Sequence, residues 1–322
     1  MGIITATVRD ADLERYCSLP GLGELTPANV RVHDPDALLA LDAPDRLAAR
    51  ASLWWSRVPQ YRGERIGLIG HYAATGASSA AQILSAACAE LARHGCTLAV
   101  GPMDGSTWRR YRLLTERGRE QPFFLEPDNP DDWPQHFEAQ GFAPLARYYS
   151  SLNEDIRRPW NLAATGGFAI RPLAPEHIEA ELHCIWQMAS AAFAGNFLYA
   201  PIDESEFRAM YLGLLPVVRP ELVLIAEREA KPAGFCLAVP DMLQARRGIP
   251  ADTVIIKTFA VLPEYRGQGL ATLLVARANK AAVRLGMRRG IHALMHEDNP
   301  SRKIGRGFLR DFRRYTLYAK PL

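Results

Sequence analysis

The segment Arg266-Gly267-Gln268-Gly269-Leu270-Ala271 is the part of this chain best suited to bind a phosphorylated ligand. It follows a β-branched run, Thr253 to Ala260, and opens a long stretch with helical periodicity. A turn with two glycines between a strand and a helix exposes backbone N–H groups at the positive end of the helix dipole. Such a turn is suited to a phosphate or pyrophosphate. Glycine also lets the backbone approach the phosphates, because no Cβ stands in the way.

Other phosphate-binding turns have a similar outline but a different sequence. The dinucleotide pattern requires Gly-x-Gly-x-x-Gly, and the P-loop requires Gly-x-x-x-x-Gly-Lys-Ser/Thr. Neither is present here. What stands here is Arg266-x-x-Gly269-x-Ala271, preceded by Val261-x-Pro263, which resembles the acyl-CoA loop of the GCN5-related N-acetyltransferase (GNAT) family. A plain glycine turn without a ligand is the alternative.

The resemblance implies where an acyl-CoA would bind. In the family, a bulge on the fourth strand offers its amides to the pantetheine and to the thioester oxygen. The corresponding residues here are Phe259, Ala260 and Val261. The pyrophosphate would be held by the loop amides, with added charge from the first side chain; the loop residues are Arg266, Gly267, Gln268, Gly269, Leu270 and Ala271. Asn299 stands where the family commonly has an Asn that bonds the pantetheine arm, and a helix N-cap is its alternative role.

Acyl transfer to an amine also needs an acid for the departing thiolate and a base for the ammonium. The family often has a Tyr seven residues after the Asn, and here that position is Arg306. Tyr315 and Tyr318 on the predicted last strand are substitute acids, with packing in the sheet as their alternative role. The candidate bases stand together at the end of a predicted strand: His296, Glu297 and Asp298. Plain solvated side chains, with a water chain as the base, are the alternative.

The element order of residues 167–322 supports the resemblance. Hydrophobic periodicity and turn residues predict the order β-α-α-β-β-β-α-β-α-β, which is the GNAT order. The predicted elements are strand 168–173, helix 175–193, a helix from 203 toward 215, strands 222–227, 233–239 and 253–261, helix 270–285, strand 290–296, a short helix from 299 and strand 312–319.

The first half repeats this pattern more faintly. A strand at 65–72, a helix at 80–93 and a strand at 97–101 are predicted, and 148–152 would close the sheet. Residues 137–142, Phe-Glu-Ala-Gln-Gly-Phe, resemble a signature near the end of GNAT domains. Residues 74–80 have no Arg/Gln and no Gly-x-Gly/Ala, so no pyrophosphate loop is expected there. The polar and aromatic segment 101–108 either lines a cleft between the halves or is a turn packed around Trp108.

Together these patterns predict an α/β (α+β) fold of two tandem GNAT-like domains, each a mixed, mostly antiparallel sheet flanked by helices. Residues 1–157 would form a degenerate domain without a CoA loop. Residues 167–322 would form the catalytic domain that binds acyl-CoA.

Composition is that of an ordinary globular protein. The chain has 322 residues, 48% hydrophobic and 23% charged, with a net charge of +3 that gives no argument for nucleic acid. The five scattered cysteines have no zinc spacing, and no metal is expected. We find no signal peptide and no apolar run near the ~18 residues of a membrane span, so we expect a cytoplasmic protein that does not bind membranes.

The sequence therefore predicts an N-acyltransferase, with acetyl-CoA as the expected donor, that transfers the acyl group directly from the thioester to a small-molecule amine. A non-catalytic CoA-binding or regulatory protein is the alternative, and the missing Tyr at Arg306 is its main support. A tandem domain that binds no CoA is a third possibility, against which the intact loop argues. The acceptor, the acyl chain length and the oligomeric state cannot be read from the sequence.

Overall fold

The computed structural model describes residues 2–44, 46–160, 162, 167–305 and 307–322. The strands of the first half are β1 (Ile3–Ala6), β2 (Ala37–Asp42), β3 (Leu47–Trp54), β4 (Ile66–Ala74), β5 (Leu98–Gly101), β6 (Leu113–Glu116) and β7 (Ala143–Asn153). Those of the second half are β8 (Ala169–Pro172), β9 (Val223–Arg228), β10 (Lys231–Pro240), β11 (Thr253–Val261), β12 (Arg289–His296) and β13 (Leu309–Pro321).

Eight α-helices connect these strands in the described residues. In the first half they are α1 (Leu13–Cys17), α2 (Pro27–His33), α3 (Ala77–Arg93) and α4 (Trp133–Ala139). In the second half they are α5 (Ile178–Phe193), α6 (Glu204–Leu212), α7 (Met242–Arg246) and α8 (Leu270–Arg284). The predicted helix after Asn299 is a short 3-10 turn, Pro300–Lys303. The predicted order of the second half is otherwise confirmed, with the small helix α7 as an addition.

The strands form one continuous sheet, mixed but mostly antiparallel. Its order is β1-β2-β3-β4-β5-β13-β7-β12-β11-β10-β9-β8, with β6 also paired to β13. The parallel pairs are β4 with β5 and β11 with β12. Each half of the chain therefore contains one parallel pair within an antiparallel surrounding.

The last strands of the two halves change places. β13 lies between β5 and β7, and Tyr318 pairs with Gly101 in β5. β7 lies between β13 and β12, and Asn153 pairs with Gly290 in β12. The expectation that 148–152 closes the sheet of the first half was wrong, because this strand pairs only with strands of the second half. An alternating strand sequence specifies the buried face and not the neighbouring strand.

Helices cover both faces of the sheet and bury separate apolar clusters. In the second half α5 and α6 pack on one face, around Phe207, Ile225 and Phe235, while α8 packs on the other through Leu274. In the first half α3 covers β2, β3 and β4. A further cluster joins the halves and includes Tyr148 of β7. No helix in the described ranges is long and apolar enough to cross a membrane.

Candidate functional site

The strands β11 and β12 run side by side for a short distance and then separate. Their ladder ends at Ile256, which pairs with His292. β11 then continues beside β10 as far as Val261, while β12 continues beside β7 as far as His296. We call the gap between 257–261 and 293–296 the carboxy-terminal V.

Irregularities in both strands explain the separation. The register of β11 against β10 shifts at Lys257, which has no partner in β10. In β12 the register against β7 shifts around Leu294, whose φ is 62°. Bulges of this kind bend a strand and interrupt its pairing. The two strands therefore separate at one place, while β11 stays paired with β10 and β12 stays paired with β7.

Backbone amides of β11 face this V. The Leu262 amide donates to the carbonyl of Ala233 in β10 at 3.0 Å. Ladder bonds alternate along an antiparallel strand, so Ala260 also bonds toward β10, while Phe259 and Val261 point away from it. Of the three amides predicted to contact the pantetheine and thioester, those of Phe259 and Val261 face the V and that of Ala260 does not.

The loop between β11 and α8 has the form of an anion-binding turn. Gly267 and Gly269 have φ of 77° and 78°, a region that favours glycine, and Gly269 is the N-cap of α8. A Cβ at Gly267 would meet no heavy atom within 4 Å. Within the described part of the chain, the amides from Gly267 to Thr272 have no hydrogen-bond acceptor. Leu270 is buried and fixes the start of the helix, while Ala271 is partly exposed. A pyrophosphate fits this row of free donors.

Two side chains of the loop differ from the expectation. Arg266 donates through Nη2 to the carbonyl of Ala192 in the last turn of α5, at 2.7 Å, and its own amide donates to Pro263. The prediction that the Arg266 side chain and amide face the pyrophosphate therefore has no support in the geometry, because both are engaged elsewhere. Gln268 accepts from Arg228 at 3.0 Å and so holds the loop against β9.

Asn299 takes the alternative role that the sequence left open. Its side-chain oxygen accepts from the Ser301 amide at 2.9 Å and caps the 3-10 turn. The same residue is exposed just beyond β12. Contact with a pantetheine arm would have to use the side-chain nitrogen.

The three candidate bases have different surroundings. Glu297 accepts from the Arg147 amide at 2.8 Å, and its own amide donates back to Arg147, so this carboxylate ties β12 to β7. Asp298 is exposed. His296 lies at the mouth of the V between the rings of Tyr148 and Phe197, at 5.1 Å from each. Of the three, His296 is the one held inside the apolar surroundings of the V.

The hydrogen bonds of His296 define what it can do. Its Nδ1 accepts from the Asp298 amide at 3.1 Å, and its buried Nε2 has no partner among the described residues. Burial lowers the pKa of His296 below its ordinary 6.5, so the ring is neutral at neutral pH. A neutral imidazole that accepts at Nδ1 carries its proton on Nε2. In this arrangement Nε2 of His296 is a hydrogen-bond donor, which suits the role of an acid and not of a base.

Neither substitute tyrosine has a free hydroxyl. Tyr315 is fully buried and donates to Glu126 at 2.6 Å, and burial raises its pKa well above 10. Tyr318 is buried in the core of the first half, where it donates to Glu138 at 2.9 Å. Both placements favour the sheet-packing role. Arg306, where the family's Tyr would stand, lies outside the described residues.

Two residues near the V were not singled out from the sequence. Lys257 is the bulged residue of β11, and Arg112 comes from the first half just before β6. The Arg112 guanidinium lies over the ring of Tyr148, at 4.3 Å from its centroid. A lysine inside the apolar run Thr253–Val261 is a signal that sequence reasoning might have used. The position of Arg112 follows only from the contact between the halves.

Trp108 is a packing residue at the boundary of the halves. Its ring packs against Phe193, Tyr199 and Phe207, and its indole nitrogen donates to the carbonyl of Ala200 at 2.9 Å. Of the two roles considered for the segment 101–108, the contacts of Trp108 support packing. They also fix the loop after α5 to the first half.

One group of described side chains has metal-ligand spacing, and it lies in the first half. Ligand atoms of His33, His71 and Asp104 are within 4.8 Å of one another. The imidazoles of His33 and His71 hydrogen-bond each other at 2.8 Å. Burial and the charges of Arg109 and Arg110 lower the pKa of His33 to about 3. These positive charges disfavour a cation, and we interpret the group as a hydrogen-bonded part of the core.

Comparison with known proteins gives the fold of the chain and the family of one of its domains. Residues 183–304 match the model of the acetyltransferase (GNAT) family. No curated protein sequence matches the chain. A GCN5-related N-acetyltransferase from Sphaerobacter thermophilus is 15% identical with a TM-score of 0.53, over 99% of this chain and 95% of that one.

Two further solved structures share the fold over the whole chain. A tandem GNAT protein from the clavulanic acid biosynthesis pathway is 10% identical with a TM-score of 0.54, over 99% of this chain and 98% of that one. A probable N-acyltransferase from Enterococcus faecalis V583 is 10% identical with a TM-score of 0.56, over 100% and 72%. Residues 183–304 are therefore a domain of the GNAT acetyltransferase family, within a chain whose fold is that of GCN5-related N-acetyltransferases.

Proposed function

We propose that the protein is an acyl-CoA-dependent N-acyltransferase that uses acetyl-CoA and a small-molecule amine. The observation that carries the proposal is the open V beside a glycine loop with free amides. The loop amides from Gly267 to Thr272 would bind the pyrophosphate, and the amides of Phe259 and Val261 would bind the pantetheine and the thioester oxygen. Acetyl-CoA supplies an acyl group on a thioester when it is bound there.

The chain's own residues favour direct transfer. Cys236, the cysteine on β10 beside β11, is fully buried, and burial raises the pKa of its thiol to about 12. A thiol in that state is a poor nucleophile, so no covalent step through it is proposed. His296 would donate from Nε2 to the departing sulfur. The proton of the attacking amine would leave through water at the open mouth.

The test compares acetyl-CoA binding in two variants with matched positions. Ala271→Glu places a carboxylate at the second residue of α8, and Ser78→Glu does the same in α3. Glutamate is favoured in the first turn of a helix, so both proteins should fold. Calorimetric titration should show about one site in the wild type and in Ser78→Glu. Ala271→Glu should bind at least about tenfold more weakly, because the carboxylate repels the pyrophosphate.

Two outcomes would contradict this proposal. Absence of acetyl-CoA binding to the wild type would remove the acyltransferase assignment. Binding without acyl transfer to any member of a broad amine panel, followed by mass spectrometry of the products, would favour the non-catalytic CoA-binding protein.

A further inference from the structure

Two cationic residues lie near the inner end of the carboxy-terminal V. Lys257 is the bulged residue of β11, next to the last residue paired with β12. Arg112, from the first half of the chain, lies over the ring of Tyr148, and the same ring contacts His296. Its charge lowers the pKa of both Lys257 and His296. Both cationic residues therefore lie near the imidazole and near the strand that would hold the thioester.

Arg112 is buried, and it has no charged partner among the described residues. It is 5% exposed, and its Nε and Nη1 atoms have no hydrogen-bond partner in the same part of the chain. Its guanidinium lies 3.9 Å from the ring centroid of Tyr111 and 4.3 Å from that of Tyr148. The two aromatic rings hold the guanidinium in place by their faces. They cannot accept hydrogen bonds from its N–H groups, because these point outward in the plane of the guanidinium.

The backbone of Arg112 is also constrained. Its φ is 67°, a left-handed conformation that is uncommon for arginine, and its amide donates to the Pro102 carbonyl at 2.8 Å. Such conformations persist where the surrounding structure fixes them, and they often occur at ligand sites. The chain therefore holds this guanidinium in one direction.

Lys257 also has no carboxylate partner among the residues that the structure describes. Burial and the charge of Arg112 lower the pKa of Lys257 to about 8. Carboxylates of the neighbouring elements are bound elsewhere: Glu126 to Arg313, Glu206 to Arg109, and Glu297 to the Arg147 amide. Two like charges close together, one buried and one partly buried, destabilise the protein by repulsion and by loss of hydration when no anion is bound.

We propose that Arg112 and Lys257 bind the carboxylate of the acceptor, so that the substrate is an amino acid or another small amine with a carboxylate close to its nitrogen. This inference rests on the proposed acyltransferase function. Arginine suits a carboxylate because its fork donates two parallel hydrogen bonds, and the ammonium adds a point charge. A carboxylate held at the inner end of the V places a nearby amine against the thioester carbon.

The reaction balances without a further reactant. The amine nitrogen forms a bond to the acyl carbon as the carbon–sulfur bond breaks. One proton leaves the nitrogen for water, and the sulfur gains one, so that the products are an N-acyl amino acid and CoA.

The first experiment compares acids with their decarboxylated partners. The full-length protein and acetyl-CoA are incubated with matched pairs, such as phenylalanine with phenethylamine and lysine with cadaverine, and products are measured by mass spectrometry. We expect kcat/KM for the preferred acid to exceed that of its partner by about 100-fold, because an unpaired buried charge remains when the carboxylate is missing. Equal rates within the pairs would overturn the inference.

Substitutions of the two cationic residues then test whether they bind the acceptor carboxylate. Arg112→Gln and Lys257→Met should each lower the acid-to-amine ratio at least tenfold and leave the affinity for acetyl-CoA unchanged. Arg112→Lys should retain part of the ratio, since it keeps the charge and loses the fork. A ratio that is unchanged in both neutral variants would overturn the assignment of these residues.

The carboxylate could also belong to the acyl donor, if the acyl group is that of a dicarboxylic acid. Succinyl-CoA is therefore compared with acetyl-CoA on the same acceptors. Preference for succinyl-CoA, with loss of that preference in Arg112→Gln, would overturn the acceptor assignment.

A measurement without turnover separates this inference from the proposed function. N-acetylglycine, the smallest product of the expected kind, should raise the melting temperature, while N-acetylglycinamide should not. The effect should disappear in Arg112→Gln. Stabilisation by N-acetylglycine without acetyl-CoA binding would support the carboxylate site and contradict the acyltransferase function. Acetyl-CoA turnover without stabilisation by N-acetylglycine would support the acyltransferase function and contradict the carboxylate site.

Discussion

Each half of the molecule contains a parallel strand pair that opens into a V, and the two are used differently. In the first half the ladder of β4 and β5 ends at Leu68, paired with Val100. The chain that follows β5 then fills the gap: the Met103 amide donates to the Ile69 carbonyl at 2.8 Å, and Asp104 accepts from the His71 amide at 2.6 Å. The carboxy-terminal V has no such segment in the described residues.

The two strand-to-helix connections also differ in length. Residues 262–269 separate β11 from α8, while only Thr75 and Gly76 separate β4 from α3. Polar side chains of the first V are paired with each other, through Tyr16, Ser52, His71 and His33. In the second V, Arg112 and His296 keep atoms without a hydrogen-bond partner among the described residues. The separation of two strands therefore makes a gap, and the loop and the unpaired groups around it make a candidate site.

The largest effect should come from Gly70, which allows the first V to be filled. A Cβ at this position would lie 2.2 Å from the Met103 carbonyl oxygen, a backbone atom that cannot move alone. Gly70→Ala should lower the free energy of unfolding by about 3 kcal/mol, measured by urea denaturation. Gly195→Ala is the control, because no heavy atom lies within 4 Å of the added Cβ. Equal stability of the two variants would mean that the first V is not tightly filled.

A pair of histidine variants should separate structure from chemistry. His71→Asn loses both ring hydrogen bonds in the first V, and it should lower stability by about 2 kcal/mol with kcat unchanged. His296→Gln keeps a side-chain acceptor for Asp298 and loses the imidazole donor. It should lower kcat about 100-fold with stability nearly unchanged. If both variants lower stability alone, or both lower kcat alone, the proposed difference between the two gaps is wrong.

Lys257 should make stability depend on pH in a definite direction. Its pKa falls from the ordinary 10.5 to about 8 on folding, so between these values the unfolded chain binds more protons than the folded one. Stability contributed at this site therefore rises with pH through that window. Lys257→Met should be more stable than the wild type by about 2 kcal/mol at pH 7, with the gain declining from pH 8 to 10.5.

Lys231→Met removes an exposed ammonium from β10 and serves as the control for this measurement. Its unfolding free energy should follow that of the wild type at every pH. A gain for Lys257→Met that stays constant with pH would show that the ammonium is not the destabilising group.

The sequence was sufficient for the features that local patterns encode. The two glycines, the strand before them and the helix after them predicted the loop, because φ values and helix starts are set by neighbouring residues. The element order of the second half was predicted for the same reason. Asn299 illustrates the limit, since an N-cap and a ligand contact require the same residue type.

Features that depend on distant parts of the chain could not be predicted. Arg112 and Lys257 lie in different halves, and nothing near either one indicates the other. The tyrosines of β13 were chosen as substitute acids because they stand on the predicted last strand of the second half. Tyr318 instead lies against β5, since the strand enters the sheet of the first half. Strand neighbours and side-chain partners are tertiary properties that periodicity does not contain.

The exchange of last strands has a consequence for how the protein is made. β5 receives its neighbour β13 only after nearly all of the described chain has left the ribosome, and β7 must wait for β12. Until then the first half has an unpaired sheet edge at β5, and exposed edges favour pairing with other chains. Closure of this edge depends on contacts between residues far apart in the sequence, which slow folding. The two halves are therefore expected to complete their folding together.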